Sequence, residues 1–561
     1  MTAKSSFRAL AAAVAASLSC ALPASAEEAD SYAAAVAQEP GRALGLFHRY
    51  EFAEIRDTPP PEGYAPFYVA HYGRHGSRYQ LDKKAFAAID ALKAGKEAGV
   101  LSPAGEALLA RLLPAALEHE GMWGMLSRLG AKEHETLARR LAGRFGEVFA
   151  GGGLVRCVSS TRPRCLASMA NFSCALGREF PALEFSFETG ERCMRTILHP
   201  YLPGEGRGPW LAAFDEKVVR DNVEPSRIFL ALFRDVPAAR RVVPDLHRFA
   251  FDLFVAASAF ESLSEELGGA DVRDVFAPEE WIALGRARSC IHYAHMANCA
   301  EYGHCAAWSA RDLALDIASK AREAIAGGGI CADLRFGHDS GLRPLAGLVG
   351  IEGAGDCSPA AESWKVCPSW KGMPMASNLQ IVLYRKTGAE PLAKILYNEE
   401  EKTLRGISPV FGGVFYRWSD VEKRLETPGG EPCGRGALIL RGSAGGALPA
   451  SSCAALFGKY GVLPAPGPAF DDVSPLSSTR GFSSAEDVLA AVRTASEENR
   501  AARLRLDDLP SLCGGGPEDA LRFLEKILLE ARVRGVAMAL AEEGEAARDA
   551  ALADKHDETG L

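Results

Sequence analysis

The run Phe67-Tyr68-Val69-Ala70-His71-Tyr72-Gly73-Arg74-His75-Gly76-Ser77-Arg78 decides how the chain is read. Its first half has the aromatic and apolar composition of a strand, and Gly73 and Gly76 mark a tight loop at its end. A strand that runs into such a loop predicts Arg74, His75 and Arg78 at the carboxyl edge of a sheet, where α/β proteins collect their ligands. Guanidinium forks match the oxygens of phosphate, and Gly76 lets the backbone approach whatever is bound. An imidazole between two guanidiniums has its positive charge disfavoured, which keeps a ring nitrogen free to attack. A basic surface turn with one solvated histidine is the competing reading of these residues taken alone.

Two further segments point to the same edge. Leu154 to Val158 reads as a short strand, and Ser159-Ser160-Thr161 then caps a helix over about Arg162 to Leu176. Arg164 would project near the free amides and positive dipole end of that helix, an anion-binding arrangement. Cys331 to Phe336 reads as a buried strand ending in Gly337-His338-Asp339-Ser340. Singly, His338 fits a satisfied core histidine and Asp339 a helix N-cap. After a second buried strand, beside the first, they predict a shared site.

Helical patterns cover Lys83 to Glu97, Pro103 to Leu117, Ala131 to Phe149 and most of residues 205 to 325. Leu379 to Tyr384 and Leu392 to Leu396 read as an antiparallel pair around Lys386-Thr387-Gly388. The expected fold class is α/β: a Rossmann-like sheet flanked by helices, with an α-helical cap inserted at roughly residues 180–325. Composition shifts near Pro428-Gly429-Gly430, so residues 27–427 are expected to form one unit and residues 428–561 a C-terminal α/β module of unassigned role. In that module Ala437 to Leu440 and Val536 to Leu540 read as strands. Helices are expected at Ser484 to Arg503, with capping-box spacing between Ser483 and Glu486, and at Pro517 to Arg534. The Gly-rich Gly442 to Gly446 lacks the Lys-Ser/Thr ending of a P-loop and reads as a plain turn.

The 561 residues carry a net charge of -9, with 48% hydrophobic and 24% charged residues. Those values exclude a mainly disordered, collagen-like or polytopic membrane chain, and the acidic balance argues against a nucleic-acid binder. Lys4 and Arg8 precede the apolar Ala9 to Leu22, and Ala24-Ser25-Ala26 follows. This is the three-part order of a secretory signal over residues 1–26, cleaved after Ala26. Cleavage would remove 26 of the 561 residues and leave 535. Losing Lys4 and Arg8 takes the charge from -9 to -11, and 13 of the 14 cysteines remain because Cys20 lies in the leader. A lipid tether at Cys20, or peripheral membrane association, is the weaker alternative, since Ser17 stands where an apolar residue is expected. No other segment approaches a membrane span. The expected location is periplasmic, cell-surface or extracellular. That oxidising setting leads us to expect disulfides, with an odd cysteine left over.

Cys290, His292, His295, Cys299, His304 and Cys305 form a Cys/His cluster without the paired spacing of a zinc site. Disulfides and ordinary histidines are the favoured reading, and neither a metal nor a cofactor is expected.

Tyr72 to Arg78, the Ser160-Thr161…Arg164…Ser168-Met169 segment and His338-Asp339 together resemble the histidine acid phosphatases. That branch of the histidine phosphatase superfamily includes phytases and multiple inositol polyphosphate phosphatases. Pro374 to Gln380 and Tyr397-Asn398-Glu399 look like its secreted bacterial members, and the resemblance runs in order from roughly Tyr64 to Leu425. It implies that His75 is a nucleophile forming a phosphohistidine and that Asp339 protonates the leaving oxygen. Arg74, Arg78, Arg164 and His338 would hold the phosphate. Two positions depart from the pattern. Tyr79-Gln80 follows Arg78 where many members carry Pro. His338-Asp339 is as in phytases, where the inositol polyphosphate group commonly shows His-Ala-Glu, so the phosphate position attacked stays open. Lys83 and Lys84 read as solvated charges more than as substrate contacts.

The implied activity is a metal-independent phosphomonoesterase acting on a small anionic phosphorylated substrate, phytate or a related inositol polyphosphate. A broad-specificity acid phosphatase, a sugar-phosphate phosphatase and a catalytically silent phosphate-binding protein are the alternatives. Binding alone needs neither a nucleophile nor an acid, so the presence of both His75 and Asp339 favours turnover.

Overall fold

The computed structural model describes residues 31–197, 209–300, 307 and 309–427, together with 437–441, 463–464, 501–505, 517–533 and 537–541. The leader, Cys20, His304, Cys305 and the Gly442 to Gly446 turn lie outside the described residues.

The main sheet holds β1 (Ala65–Arg74), β2 (Gly153–Ser159), β3 (Leu183–Thr189), β4 (Ile330–Gly337), β5 (Asn378–Arg385), β6 (Leu392–Tyr397), β7 (Glu400–Glu401) and β8 (Phe415–Arg417). The order is β3-β2-β4-β1-β5-β6-β7, with β8 also on β6. The first four are mutually parallel, and β5 and β6 continue antiparallel. The β5–β6 hairpin closes where the sequence placed it: Ala389 N–H donates to Lys386 O, and Gly388 takes the positive φ of +73° that the turn demands.

Eight helices frame the site: α1 (Ala87–Glu97), α2 (Pro103–Glu118), α3 (Arg128–Arg144), α4 (Pro163–Glu179), α5 (Leu246–Ser262), α6 (Pro278–Met296), α7 (Arg311–Ala326) and α8 (Asp339–Val349). Alternate residues of β1 serve two layers, as a strand's period of two requires. Tyr68, Ala70 and Tyr72 meet Leu313 and Ile317 of α7 and Leu342 and Leu345 of α8 in one core. Val69 shares the other core with Leu137 and Leu141 of α3 and Phe172 and Leu176 of α4. Covered on both faces, β1 reads as a short apolar run, whereas β4 carries the buried Asp333 and Arg335, paired with Arg156 and Asp316.

The buried face of α3 also carries His134, and β1 carries His71. Their rings lie against Phe336 and Phe172 in the layer beneath the β1 loop. Burial pushes both imidazoles down to about 3. An unfolded histidine titrates near 6.5, so between that pH and about 3 the unfolded chain binds more protons than the folded one. Stability is therefore expected to be full above about pH 6.5 and to be lost as pH falls toward 3. Denaturant midpoints at pH 7 and pH 4 check this. His134→Phe should narrow the gap between them, and an unchanged gap would be the contrary result.

A third core joins α1 and α2 to α5 and α6 through Ile89, Leu92, Leu108, Leu112, Leu253, Phe254, Trp281 and Leu284. This helical cap therefore draws on residues from two parts of the chain. The cap expected at roughly residues 180–325 gives up both ends. Leu183–Thr189 is the edge strand β3, and α7 packs in the sheet layer. Edge strand β3 reads poorly because its Glu and Ser side chains leave it only partly buried.

A second sheet follows, with β9 (Ala437–Arg441), β10 (Leu463–Pro464), β11 (Ala501–Arg505) and β12 (Ala537–Ala541) in the order β10-β12-β9-β11, all parallel. Pro517–Val533 is helical as expected. The helix expected over Ser484 to Arg503 is corrected at its end, where residues from Ala501 pair with β9 as a strand. Residues 484–500 lie outside the described residues.

The disulfide expectation also meets a different outcome. Cys157, Cys165, Cys193, Cys290, Cys331 and Cys367 are buried free thiols, and Cys174 is an exposed one. Cys157, Cys331, Cys290 and Cys367 sit in the apolar cores and fill space as small hydrophobes do. Burial holds Cys165, Cys290 and Cys331 up at about 11.

Candidate active site

The three sequence segments meet at one edge. Along the parallel ladder Arg74 stands opposite Gly337, and Ser159 opposite Phe336, so β1, β2 and β4 release their chains side by side. His75 N–H donates to Gly337 O (3.0 Å), and Ala376 N–H donates to His75 O (3.0 Å), which pins the residue between β4 and the start of β5.

The His75 ring is buried, with Nδ1 2.9 Å from Gly76 O. A carbonyl can only accept, so Nδ1 carries the proton and Nε2 keeps its lone pair. Burial, then the charges of Arg164, Arg74, Arg78 and His338, hold the imidazole well below its ordinary pKa. The ring is thus neutral at any pH near 7.

Arg74 is fully buried. Its Nη1 donates to Leu46 O (2.6 Å) and Met373 O (2.8 Å), and its Nη2 lies 3.0 Å from Asp339 Oδ2. Two carbonyls and a carboxylate fix the plane of the guanidinium. Arg78 Nη1 donates to Tyr79 O (2.8 Å), and its guanidinium lies 5.1 Å from the centre of the Phe47 ring. Arg164, in the first turn of α4, brings Nη2 to 3.4 Å from His338 Nδ1 and keeps a buried Nε without a hydrogen bond. The His338 ring is 5.6 Å from that of His75. Burial, then Arg164, push His338 down to about 3 against the opposing effect of Asp339. All six site residues expected from sequence therefore gather at this edge.

Asp339 opens α8, and its Oδ1 accepts from Ser340 N–H (2.9 Å). Burial alone would raise its pKa, but Arg74, His338 and Arg78 outweigh it, so the carboxyl is held below the usual range and is ionised.

Several supporting groups have a role that the sequence does not assign. Ser160, expected to cap α4, instead places Oγ 2.9 Å from His338 Nε2, and Arg162 is the N-cap without a side-chain bond. Glu133 of α3 accepts from Ser77 N–H (2.7 Å), Ser77 O–H (2.9 Å) and Tyr50 N–H (2.9 Å), while Ser168 Oγ accepts from Gly76 N–H (3.2 Å). Glu133 and His134 share the otherwise apolar face of Leu137, Ala138 and Leu141. Two polar residues on a core face were the available signal. Lys83 and Lys84 are exposed.

Gly76 is required by close approach rather than by its φ. A Cβ there would sit 2.6 Å from Gly130 O and 2.7 Å from Gly130 Cα. Gly76→Ala must push α3 away from the loop, so we expect a loss of about 1–3 kcal/mol in stability together with a fall in turnover. Thermal melts and initial rates check this, and a variant with wild-type melting and activity would contradict it.

Among the described residues no group of three or more His, Cys, Asp or Glu side chains is placed to hold a metal ion. Of the Cys/His cluster, His295 Nε2 faces Asp215 Oδ1 at 3.0 Å, and Cys290 Sγ donates to Ala361 O. No described helix is long and apolar enough to cross a membrane.

The fold is shared with solved phosphatases. The particular structures are those of the Bifidobacterium longum multiple inositol polyphosphate phosphatase. Its complex with inositol hexasulfate matches with a TM-score of 0.59 at 19% identity, over 69% of this chain and 98% of that one. Its phosphate complex matches with a TM-score of 0.56 at 19% identity over the same shares. The apo form gives 0.56 at 19%, over 68% and 97%. At that identity the likeness establishes a shared fold. No protein-family model and no curated protein matches the chain.

Proposed function

We propose that this chain is an exported phosphomonoesterase that removes phosphate from inositol polyphosphates through a phosphohistidine at His75. The observation that carries the reading is a neutral His75 ring, its Nδ1 bound to Gly76 O, set among Arg74, Arg78 and Arg164 with Asp339 beside them. The fold shared with a phosphatase crystallised with inositol hexasulfate supports the substrate class.

In the first step the Nε2 lone pair attacks phosphorus as the P–O bond to the alcohol breaks. The three guanidiniums neutralise charge on the non-bridging oxygens, the task metal ions perform in other phosphoryl-transfer enzymes. An alkoxide is too basic to leave unaided, so Asp339 delivers a proton to it. Asp339 is ionised in the free site, and an arriving phosphate dianion compensates Arg74 and Arg78, which raises the carboxyl pKa toward the protonated form. In the second step water attacks the phosphohistidine, the N–P bond breaks, and Asp339 takes the water proton. His75 is then regenerated and inorganic phosphate departs.

Within this reading, residues 1–26 are the export leader, 27–427 the catalytic unit and 428–561 an appended module. Phosphate release from inositol hexakisphosphate and from p-nitrophenyl phosphate tests it. Release from both supports the proposal, release from the aryl ester alone favours a broad-specificity phosphatase, and release from neither leaves a binding protein.

A further inference from the structure

Residues 46–50 meet the phosphate-binding loop at several points. Leu46 O accepts from Arg74 Nη1 (2.6 Å), and the Phe47 ring lies 5.1 Å from the Arg78 guanidinium. His48 O accepts from Met375 N–H (2.8 Å), on the approach to β5. Tyr50 N–H donates to Glu133, the carboxylate that also holds Ser77. Leu44, Leu46 and Phe47 belong at the same time to the cap core built on α5 and α6. This segment is therefore the joint between cap and sheet edge, and whatever fixes it also fixes Arg74 and Arg78.

His48 is placed to fix it. Its ring is fully buried, with Nδ1 2.6 Å from Glu261 Oε1 at the end of α5 and Nε2 2.7 Å from Glu51 Oε1. A neutral imidazole has one N–H and one lone pair, so it can satisfy one carboxylate and must oppose the other. Only the imidazolium donates to both. Burial works against that charge, but the hydrogen bonds and charges of Glu261 and Glu51 outweigh it and raise the pKa to about 9. Arg42 grips Glu51 through Nε and Nη2, both at 2.8 Å. Arg49 donates its N–H to Glu261 Oε1 (2.8 Å), and its guanidinium pairs with Glu39. Of the other elements packed on the segment, α6 brings Arg288 to 4.5 Å from the Phe47 ring, and the β1 loop brings Arg74 and Arg78. Those cations meet Leu46 O and the Phe47 ring, whereas the imidazole faces a carboxylate on each side.

We propose that His48 is a positioning residue for the reaction: as an imidazolium tied to Glu261 and Glu51, it holds the cap to the sheet edge and keeps Arg74 and Arg78 oriented for the phosphate. Loss of its proton sets a lone pair against one carboxylate and releases residues 46–50. Anion affinity is then intact below about pH 9 and falls as pH rises through it. The inference deepens the phosphatase reading and rests on it for the anion that the arginines serve.

The test uses the full chain as wild type, Glu261→Gln and His48→Gln. Myo-inositol hexasulfate is titrated calorimetrically from about pH 6 to about pH 10, a range over which sulfate esters keep their charge while an imidazole with a raised pKa loses its proton. Wild-type affinity is expected to fall by about tenfold or more across the upper part of that range. Glu261→Gln removes one carboxylate and should move the fall to lower pH by about 1–3 units. His48→Gln should bind about tenfold more weakly at neutral pH and show no fall near pH 9. Melting temperatures at each pH separate these effects from unfolding. A Glu261→Gln variant that melts earlier yet keeps the wild-type pH profile overturns the proposal. So does a wild type whose affinity stays constant up to pH 10. A wild type that binds hexasulfate with the expected profile but hydrolyses no phosphate ester sinks the phosphatase reading and leaves the role of His48 standing. Absence of binding at every pH overturns both.

Discussion

His75→Ala is expected to lower phosphate release by about 10⁴-fold or more, with the melting temperature little changed. The size of the effect follows from the absence, among the described residues, of a substitute nucleophile at the β1–β4 edge. His338 is the other imidazole there, and its nitrogens face Ser160 Oγ and Arg164 Nη2 rather than open space. Cys165 lies close by, but its Sγ donates to Gly337 O and burial keeps the thiol protonated. Removing the His75 ring leaves the arginines in place, so inorganic phosphate should still bind. Initial rates on inositol hexakisphosphate and a phosphate titration check both halves. Undiminished turnover would sink the assignment of His75.

The second large effect depends on the leaving group. Asp339→Asn is expected to slow release from inositol hexakisphosphate by about 10²–10⁴-fold, the range that general acid catalysis contributes. On p-nitrophenyl phosphate the loss should stay within about tenfold, because nitrophenolate departs without a proton. The carboxylate also pairs with Arg74, at 3.0 Å, and its removal leaves that guanidinium more positive. Phosphate affinity should therefore hold or rise, and the whole loss should fall on kcat. An equal loss on both substrates would contradict the proton-donor role and make Asp339 a positioning residue for Arg74.

The parts of this site legible in the sequence are those that one short segment carries. Phe67 to Arg78 holds a strand, a loop and three functional side chains in twelve letters, and Cys331 to Asp339 repeats the arrangement. Their meeting followed from the rule that parallel strands end on one side. What was not legible depends on partners far away in the chain. Ser160 looks like a helix cap because Ser usually is one, yet His338, 178 residues on, takes its hydroxyl. Glu133 resembles any helix carboxylate until Ser77 and Tyr50 surround it. Export argues for disulfides, whereas among the described residues Cys157 and Cys331, buried together in one apolar core, stay free thiols. Residues 501–505 illustrate pairing overriding pattern, since Ala-Ala-Arg-Leu-Arg suits either helix or strand until β9 lies alongside.

The central claim is that phosphate passes through His75 Nε2. Isotopically labelled p-nitrophenyl phosphate mixed with the enzyme, quenched in alkali within the first turnover and digested, tests it most directly. We predict one labelled peptide, containing His75, whose phosphoryl group survives base and is released by acid, and no such peptide from His75→Ala. Wild-type turnover without a labelled peptide, or label on a residue other than His75, would contradict it.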